Sequence, residues 1–381
     1  MRFMNNKYLI VTVLLMFTLN MLSAQRTFVH PGVLFTQTTL NHIYEVAHTK
    51  KGDAYLSYCL MKKNPQADAY YKMNGPFKVI SRDGDFKYTK PKMEADFNAA
   101  YLNALMWAAT KDKDHALKSL EILEAYSDEL QLIPNTNDAP LLAGLEGMKI
   151  VAAAEILRYT YPEITTVQIG KITKMLKDVF LPVCEMFYTR KPYTNGNWGA
   201  IVTKMYMASA IYLDNETMYQ KAVDFYNNGN DNGTIQNYID DATGQIQESG
   251  RDQAHTQLGL GALATVCELA WNQGDDLYSA SNNRLLRGYE YVARYNLGDD
   301  KVPFKVWQDI SGKYDNWTKI SDIKRGDFNP IYEMVYNHYV NRKGLSMPYT
   351  AKVLENIRPE GYDGGHPSLG TLFYYNTGIQ H

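Results

Sequence analysis

Cysteine is nearly absent: Cys59, Cys184 and Cys267 are the three in 381 residues. Three is an odd number, and each lies in an apolar helical stretch, so buried free thiols are expected rather than a disulfide framework or a thiolate metal site. Alternating polar and apolar runs, the mark of half-buried strands, are scarce. Net charge is small, −2 with His neutral, which leaves no electrostatic footprint for nucleic acid. No H-E-x-x-H, C-x-x-C or G-x-S-x-G pattern occurs, and no phosphate- or dinucleotide-binding glycine loop. Zincin, serine hydrolase and nucleotide chemistries are thereby disfavoured, and no residue spacing demands a metal.

One apolar run stands apart, at the start of the chain. MRFMNNKYLIVTVLLMFTLNMLSAQ places Arg2 and Lys7 before an apolar stretch near Leu9–Leu22, and Leu22-Ser23-Ala24 offers a small-residue cleavage site before Gln25. It reads as a secretory signal over residues 1–24, because the run is short for a membrane span. No Cys marks a lipid attachment point. The expected product is an exported, periplasmic protein without a stable membrane anchor, and residues 25–381 form its one domain. Losing the leader removes two positive charges and no acid, which moves the net charge from −2 to −4. An anionic ligand must then be caught by a local basic site, not by a global field.

Helical spacing dominates the rest. One kind of helix is apolar throughout or rich in small residues: 96–110, 140–160, 198–213, 253–271, 330–339 and 368–375. The other kind is amphipathic: 115–127, 167–188, 216–227, 282–296 and 350–357. A helix apolar all round belongs inside, and an amphipathic one covers it. With a first pair near 37–48 and 54–62, this alternation predicts an all-α fold, an (α/α) toroid or incomplete barrel of about seven helical hairpins. An irregular helical bundle is the plainer alternative.

In such a toroid the loops feeding the inner helices gather at one pole. Here they are NTNDAP, YTNGNW, QESGRDQAH, KRGDFNP and YDGGHP, which bring Asp138, Asn195, Asn197, Trp198, Arg251, His255, Arg325 and His366 toward a common cleft, with Gln253 beside them. Asp138 and Asn195 could instead be simple helix caps. The 30 Tyr, 5 Trp and 13 Phe suit both a core and the stacking of sugar rings. Two chemistries fit an aromatic cleft of this kind. Glycoside hydrolysis needs two carboxylates across a bond, and Asp96, Asp138, Glu248 and Asp252 are available. Elimination from a uronate needs groups that neutralise the carboxylate, plus a base and a proton donor. Asn197, Arg251, His255 and several tyrosines supply that list.

The stretches GPFKVISRDG (75–84), DFNAAYLNALMW (96–107), DAPLLAGLEG (138–147), NGNW (195–198), ESGRDQAHTQLGLG (248–261), ELAWNQGDDLY (268–278), NRLLRGYEYVARYNLG (283–298) and NPIYEMVYNHY (329–339) resemble the alginate-lyase-type domain, most nearly polysaccharide lyase family 38. The resemblance runs in order through nearly all of the chain after the leader. It implies β-elimination on an anionic polysaccharide, alginate or the related glucuronan, with no organic cofactor. It also implies that Asn197 neutralises the substrate carboxylate and that Arg251 and His255 act from the next inner helix. Where related toroidal lyases carry a catalytic Tyr after that Arg, this chain has His255, and no Tyr lies between Tyr238 and Tyr278. Tyr332 and Tyr314 are then the expected hydroxyl donors, with Tyr336 third. Residues 74–93 are basic and Gly-punctuated, and read as a lid in which Arg82 grips a carboxylate. An inverting glycoside hydrolase and a non-catalytic glycan-binding protein remain the alternatives.

Overall fold

The computed structural model describes residues 26–375, so the expected leader lies outside the described residues. The helices in chain order are α1 (Gln37–Thr49), α2 (Gly52–Lys63), α3 (Lys90–Thr110), α4 (Lys113–Glu129), α5 (Ala139–Thr160), α6 (Thr166–Met175), α7 (Leu181–Thr189), α8 (Gly196–Tyr212), α9 (Glu216–Asn228), α10 (Ile235–Tyr238), α11 (Gln253–Trp271), α12 (Ala280–Asn296), α13 (Tyr332–Tyr336), α14 (Pro348–Ile357) and α15 (Gly370–Tyr374). Among the described residues only isolated bridges occur, such as Val79 with Leu132, and no sheet.

Burial sorts the helices as the apolar patterning predicts. Helices α5, α8 and α11 are buried over almost their whole length, whereas α4, α9 and α12 bury one face only. Helix α3 packs on α5, α5 on α8, and α8 on α11, while α4 and α9 pair with α3 and α8 from outside. Helix α11 continues the ring to α13, and α15 touches both α13 and α1, so the two ends of the described chain meet. This is the (α/α) toroid. It is thinnest at α15, which contributes barely a turn, whereas α13 runs on as a π-helical segment, Asn337–Arg342. Neighbouring inner helices approach closely at α5 and α8, where a Cβ on Gly144 would lie 2.5 Å from Ile201 Cγ2.

Two expected helices differ in detail. The stretch 167–188 is not one α-helix: a π-helical segment, Leu176–Phe180, joins α6 to α7. Pro182 has no amide hydrogen, and its ring crowds the carbonyl four residues back, so one wider turn absorbs the misfit. At the start of α12, Ser281, Asn282 and Asn283 have φ of +49°, +60° and +57°, and regular right-handed helix follows them.

The entry loops converge because every inner helix begins at the same end. The loop between α12 and α13 is pinned across that end. Ser321 N donates to Ser249 O at 2.9 Å and Gln253 N to Ile323 O at 3.0 Å. Trp317 lies so close over Gly250 that a Cβ there would sit 2.3 Å from Trp317 Cβ.

Candidate active site

A buried carboxylate organises the pole. Glu248 is fully buried. Its Oε1 accepts from Asn197 Nδ2 at 2.7 Å and from Arg251 Nη1 at 2.9 Å, and its Oε2 accepts from Asn197 N and Tyr238 Oη, both at 3.0 Å. Burial raises the Glu248 carboxyl pKa against the pull of Arg251, His255 and the Asn197 hydrogen bonds. One side chain thus ties the first turn of α8 to the turn that feeds α11.

Next to it stands an Asp–His pair. Asp252 is the N-cap of α11, its Oδ1 accepting from His255 N at 2.7 Å, and its Oδ2 lies 2.7 Å from His255 Nδ1. Burial works against the Asp252 charge, but the hydrogen bonds from His255 and the nearby Arg251 outweigh it and hold the carboxyl below its ordinary range. An ionised Asp252 only accepts, so Nδ1 carries the hydrogen. Nε2 is then a lone-pair acceptor, in line with its 3.1 Å contact to Arg251 Nη2, which only donates. The side chains of Arg251 and His255 are 30% and 38% exposed, and they form the accessible face of the cluster.

Asn197 stands one layer behind them. It is fully buried, its Nδ2 is committed to Glu248, and its Oδ1 has no partner. Trp198 is half-buried at the same helix start. Asn195 is buried and accepts from Gln247 Nε2 at 3.1 Å. Neither Asn195 nor Asp138 caps its helix through its side chain. Tyr314 reaches the NGNW entry from the overlying loop, its hydroxyl donating to Tyr193 O at 3.0 Å, and its ring stacks on Trp317 with centroids 6.0 Å apart.

Several expected site residues are placed otherwise. Tyr332 is wholly buried, and its hydroxyl donates to Gln257 Oε1 at 3.0 Å; burial raises its pKa far from any acid–base role. Gln253 is buried and bonds Ser321 O and Asn296 Nδ2, both at 2.9 Å, which makes it a staple for the overlying loop. Arg325 is spent on Tyr295 O at 2.9 Å and Asp300 at 2.6 Å. Tyr336 is half-buried, its ring 5.7 Å from the Arg358 guanidinium. Arg82 does not project as a lid residue: it pairs with Glu94 at 2.5 Å. The segment around it is stitched down as well, with Gln131 N donating to Lys78 O at 2.9 Å and Asn74 N and Gly75 N donating to Asp96. His366 lies toward the axis of the ring, with its Nδ1 unpartnered, and burial pushes its pKa down to about 4.

Reasoning from the sequence treated Glu248 only as a hydrolase carboxylate, not as an anchor, and it missed Lys149 and Lys204. The signal for those lysines was present: each is the one cation in a nearly apolar stretch, in GLEGMKIVAAA and WGAIVTKMYMASA. Among the described residues no three His, Cys, Asp or Glu side chains converge on a metal position.

A family model described as "Alginate lyase" matches residues 42–304, more than half of the chain. No curated protein matches the sequence significantly. Among solved structures, alginate lyase A1-III from Sphingomonas species A1 superposes with a TM-score of 0.65 at 11% identity, covering 91% of this chain and 99% of that one. A tyrosine-to-phenylalanine variant of A1-III, complexed with tetrasaccharide, gives 0.64 at 14% identity, covering 91% and 98%. An alginate lyase from Bacteroides ovatus gives 0.57 at 13% identity, covering 91% and 100%.

Proposed function

Because the chain belongs to the alginate lyase family, and is therefore a polysaccharide lyase, we propose that it cleaves alginate or a closely related polyuronate by β-elimination, leaving a 4,5-unsaturated uronate end. The observation that carries this reading is the single cluster in which Glu248 fixes Arg251 while Asp252 fixes His255. In the free protein, Arg251 Nη2 occupies the His255 lone pair. A substrate carboxylate drawn to Arg251 takes over that donor and frees Nε2 to face the acidified C5 hydrogen. Arg251 stabilises the charge that builds on the carboxylate as the proton leaves. His255 is the base, with Asp252 stabilising the imidazolium that forms. The Tyr314 hydroxyl, on the opposing loop, donates to the departing O4. Asn197 positions Arg251 through Glu248 and does not itself touch the sugar.

Hydrolysis by paired carboxylates has less support. Glu248 is saturated with donors, Asp252 is bound to His255, and Asp96 accepts from Tyr71, Tyr126, Asn74 and Gly75. No raised-pKa acid faces an open cleft among these. The leader-like residues 1–24 support export to the periplasm. The test is incubation with mannuronate-rich and guluronate-rich alginate, glucuronan and neutral glycans. New ultraviolet absorbance together with reducing ends is expected on at least one polyuronate. Reducing ends without absorbance would reject elimination, and activity confined to glucuronan would reject alginate.

A further inference from the structure

Inside the ring, below the Glu248–His255 cluster, lies a cavity of about 30 Å³ whose lining includes Tyr101, Lys149, Lys204, Thr265, Tyr362 and His366. Lys204 is seven residues further along α8 than Asn197, which is two turns, or roughly 10 Å deeper on nearly the same helical face. Lys149 is 7% exposed and is held by both oxygens of Glu146, at 3.0 and 3.1 Å. Lys204 is 5% exposed and has no hydrogen-bond or ion-pair partner among the described residues. An isolated buried ammonium is strongly disfavoured unless something compensates it.

The local charges do not cancel. The Arg82–Glu94 pair lies near Glu146, and Glu146 in turn neutralises Lys149. Lys204 is left over. His366 is neutral, and Asp363 is exposed at the rim, where its Oδ1 accepts from Gly365 N. The cluster above is no source of positive charge, because Glu248 and Asp252 outnumber Arg251 when His255 is neutral. A polyanion needs a cation beyond that cluster. Inside the ring, Lys204 is a cation left without an anionic partner among the described residues.

We propose that this cavity is a carboxylate-binding site, anchored by Lys204 with Lys149 behind it and the unpartnered His366 Nδ1 beside it, and that in the working enzyme it takes a carboxylate of the polyuronate chain. A buried water needs roughly 10–15 Å³ by the same measure, so the cavity suits the two oxygens of a carboxylate and excludes a sugar ring. The ring stays at the mouth and its acidic group reaches in. The source of the carboxylate rests on the function proposed above; the existence of the site does not.

Two measurements separate these. The first is the thermal unfolding midpoint of the full chain in sodium formate against sodium chloride at equal ionic strength, for the wild type, Lys204→Met and Lys204→Gln. Formate should raise the wild-type midpoint and leave both variants unmoved. An indifferent wild type, or variants that respond equally, would overturn the site. The second is calorimetric binding of an alginate tetrasaccharide in a His255→Ala background, where Lys204→Met should weaken affinity by tenfold or more. Unchanged affinity alongside a Lys204-dependent formate effect would overturn the polymer as the source and leave a free small carboxylate. If no polyuronate is degraded while the formate effect holds, the proposed reaction is wrong and the anion site stands.

Discussion

Asn197 and Glu248 are bonded twice, backbone N to Oε2 at 3.0 Å and side-chain Nδ2 to Oε1 at 2.7 Å. The pairing locks the first turn of α8 to the turn before α11, and it leaves Oε1 free to accept Arg251 as well. A carboxylate with four donors cannot be replaced by an amide without leaving some of them unmatched, since the amide nitrogen is itself a donor. Glu248→Gln should therefore cost about 3 kcal/mol of unfolding free energy and lower turnover at the same time, through a displaced Arg251. Urea denaturation and kcat on the preferred polyuronate check both. A variant of unchanged stability would mean that Glu248 is protonated in the native protein.

His255 and Asp252 should behave as a unit. Loss of a positioned base lowers turnover by roughly two to four orders of magnitude, so His255→Ala should fall in that range with a KM changed far less. Asp252→Asn should lose activity too, because an amide can turn its NH₂ to Nδ1 and force the hydrogen onto Nε2. Near-normal turnover in either variant, with the fold intact, would remove His255 from the base role.

The tyrosines divide by location. Tyr314→Phe should lower kcat by about a hundredfold or more, the contribution of a positioned proton donor. Tyr332→Phe should keep near-normal kcat and cost only about 1 kcal/mol of stability, because Gln257 Oε1 retains its bond from Asn329 N. Tyr336→Phe should change neither. Inactivity of Tyr332→Phe with an unchanged fold would return that residue to the mechanism.

Much of this architecture was legible before the structure. The inner helices announced themselves because a segment apolar on every side has no solvent-facing solution, and their entry loops then had to share a pole. That logic expected Asn197, Arg251 and His255 at one end, and the structure brings the three together around Glu248 and Asp252. The failures have physical causes. Tyr is amphipathic, so neither composition nor spacing separates the buried Tyr332 from the accessible Tyr314. The residues between α12 and α13 have no periodicity, and nothing in their sequence says that Trp317 rests on Gly250 or that Gln253 staples the loop. Arg82 looked free because its partner, Glu94, lies beyond the loop's own turn. Lys204 was overlooked because one cation does not disturb the pattern of an apolar helix.

Gly250 tests the loop placement. A methyl group there has no room beneath Trp317, so Gly250→Ala should push the loop carrying Tyr314 outward. Turnover should fall with the rest of the ring intact, and the loop should be cleaved faster in limited proteolysis. An unaltered cleavage rate would show that the loop repacks without opening.

Lys204 carries the last prediction, in which the sign of the pH dependence decides. Burial lowers its pKa from 10.5 to about 8, with Lys149 pushing the same way and Glu146 opposing. The other groups lining the cavity are Tyr101, Tyr362 and His366, with Asp363 at the rim. Between pH 8 and 10.5 the unfolded chain holds this proton and the native chain does not, so native stability should rise with pH across that window. Below pH 8 the cost of the buried charge is fully present. Lys204→Met should accordingly be more stable than the wild type near pH 7, by at most about 3 kcal/mol, with the gain shrinking toward pH 10. Carboxylate binding runs the other way, because the anion needs the ammonium form. Formate stabilisation of the wild type should be level below pH 8 and fade above it. Urea unfolding of both proteins at several pH values, with and without formate, tests the two trends together. A difference between wild type and Lys204→Met that does not vary with pH would mean that Lys204 is neutral throughout, and that it could not anchor a carboxylate.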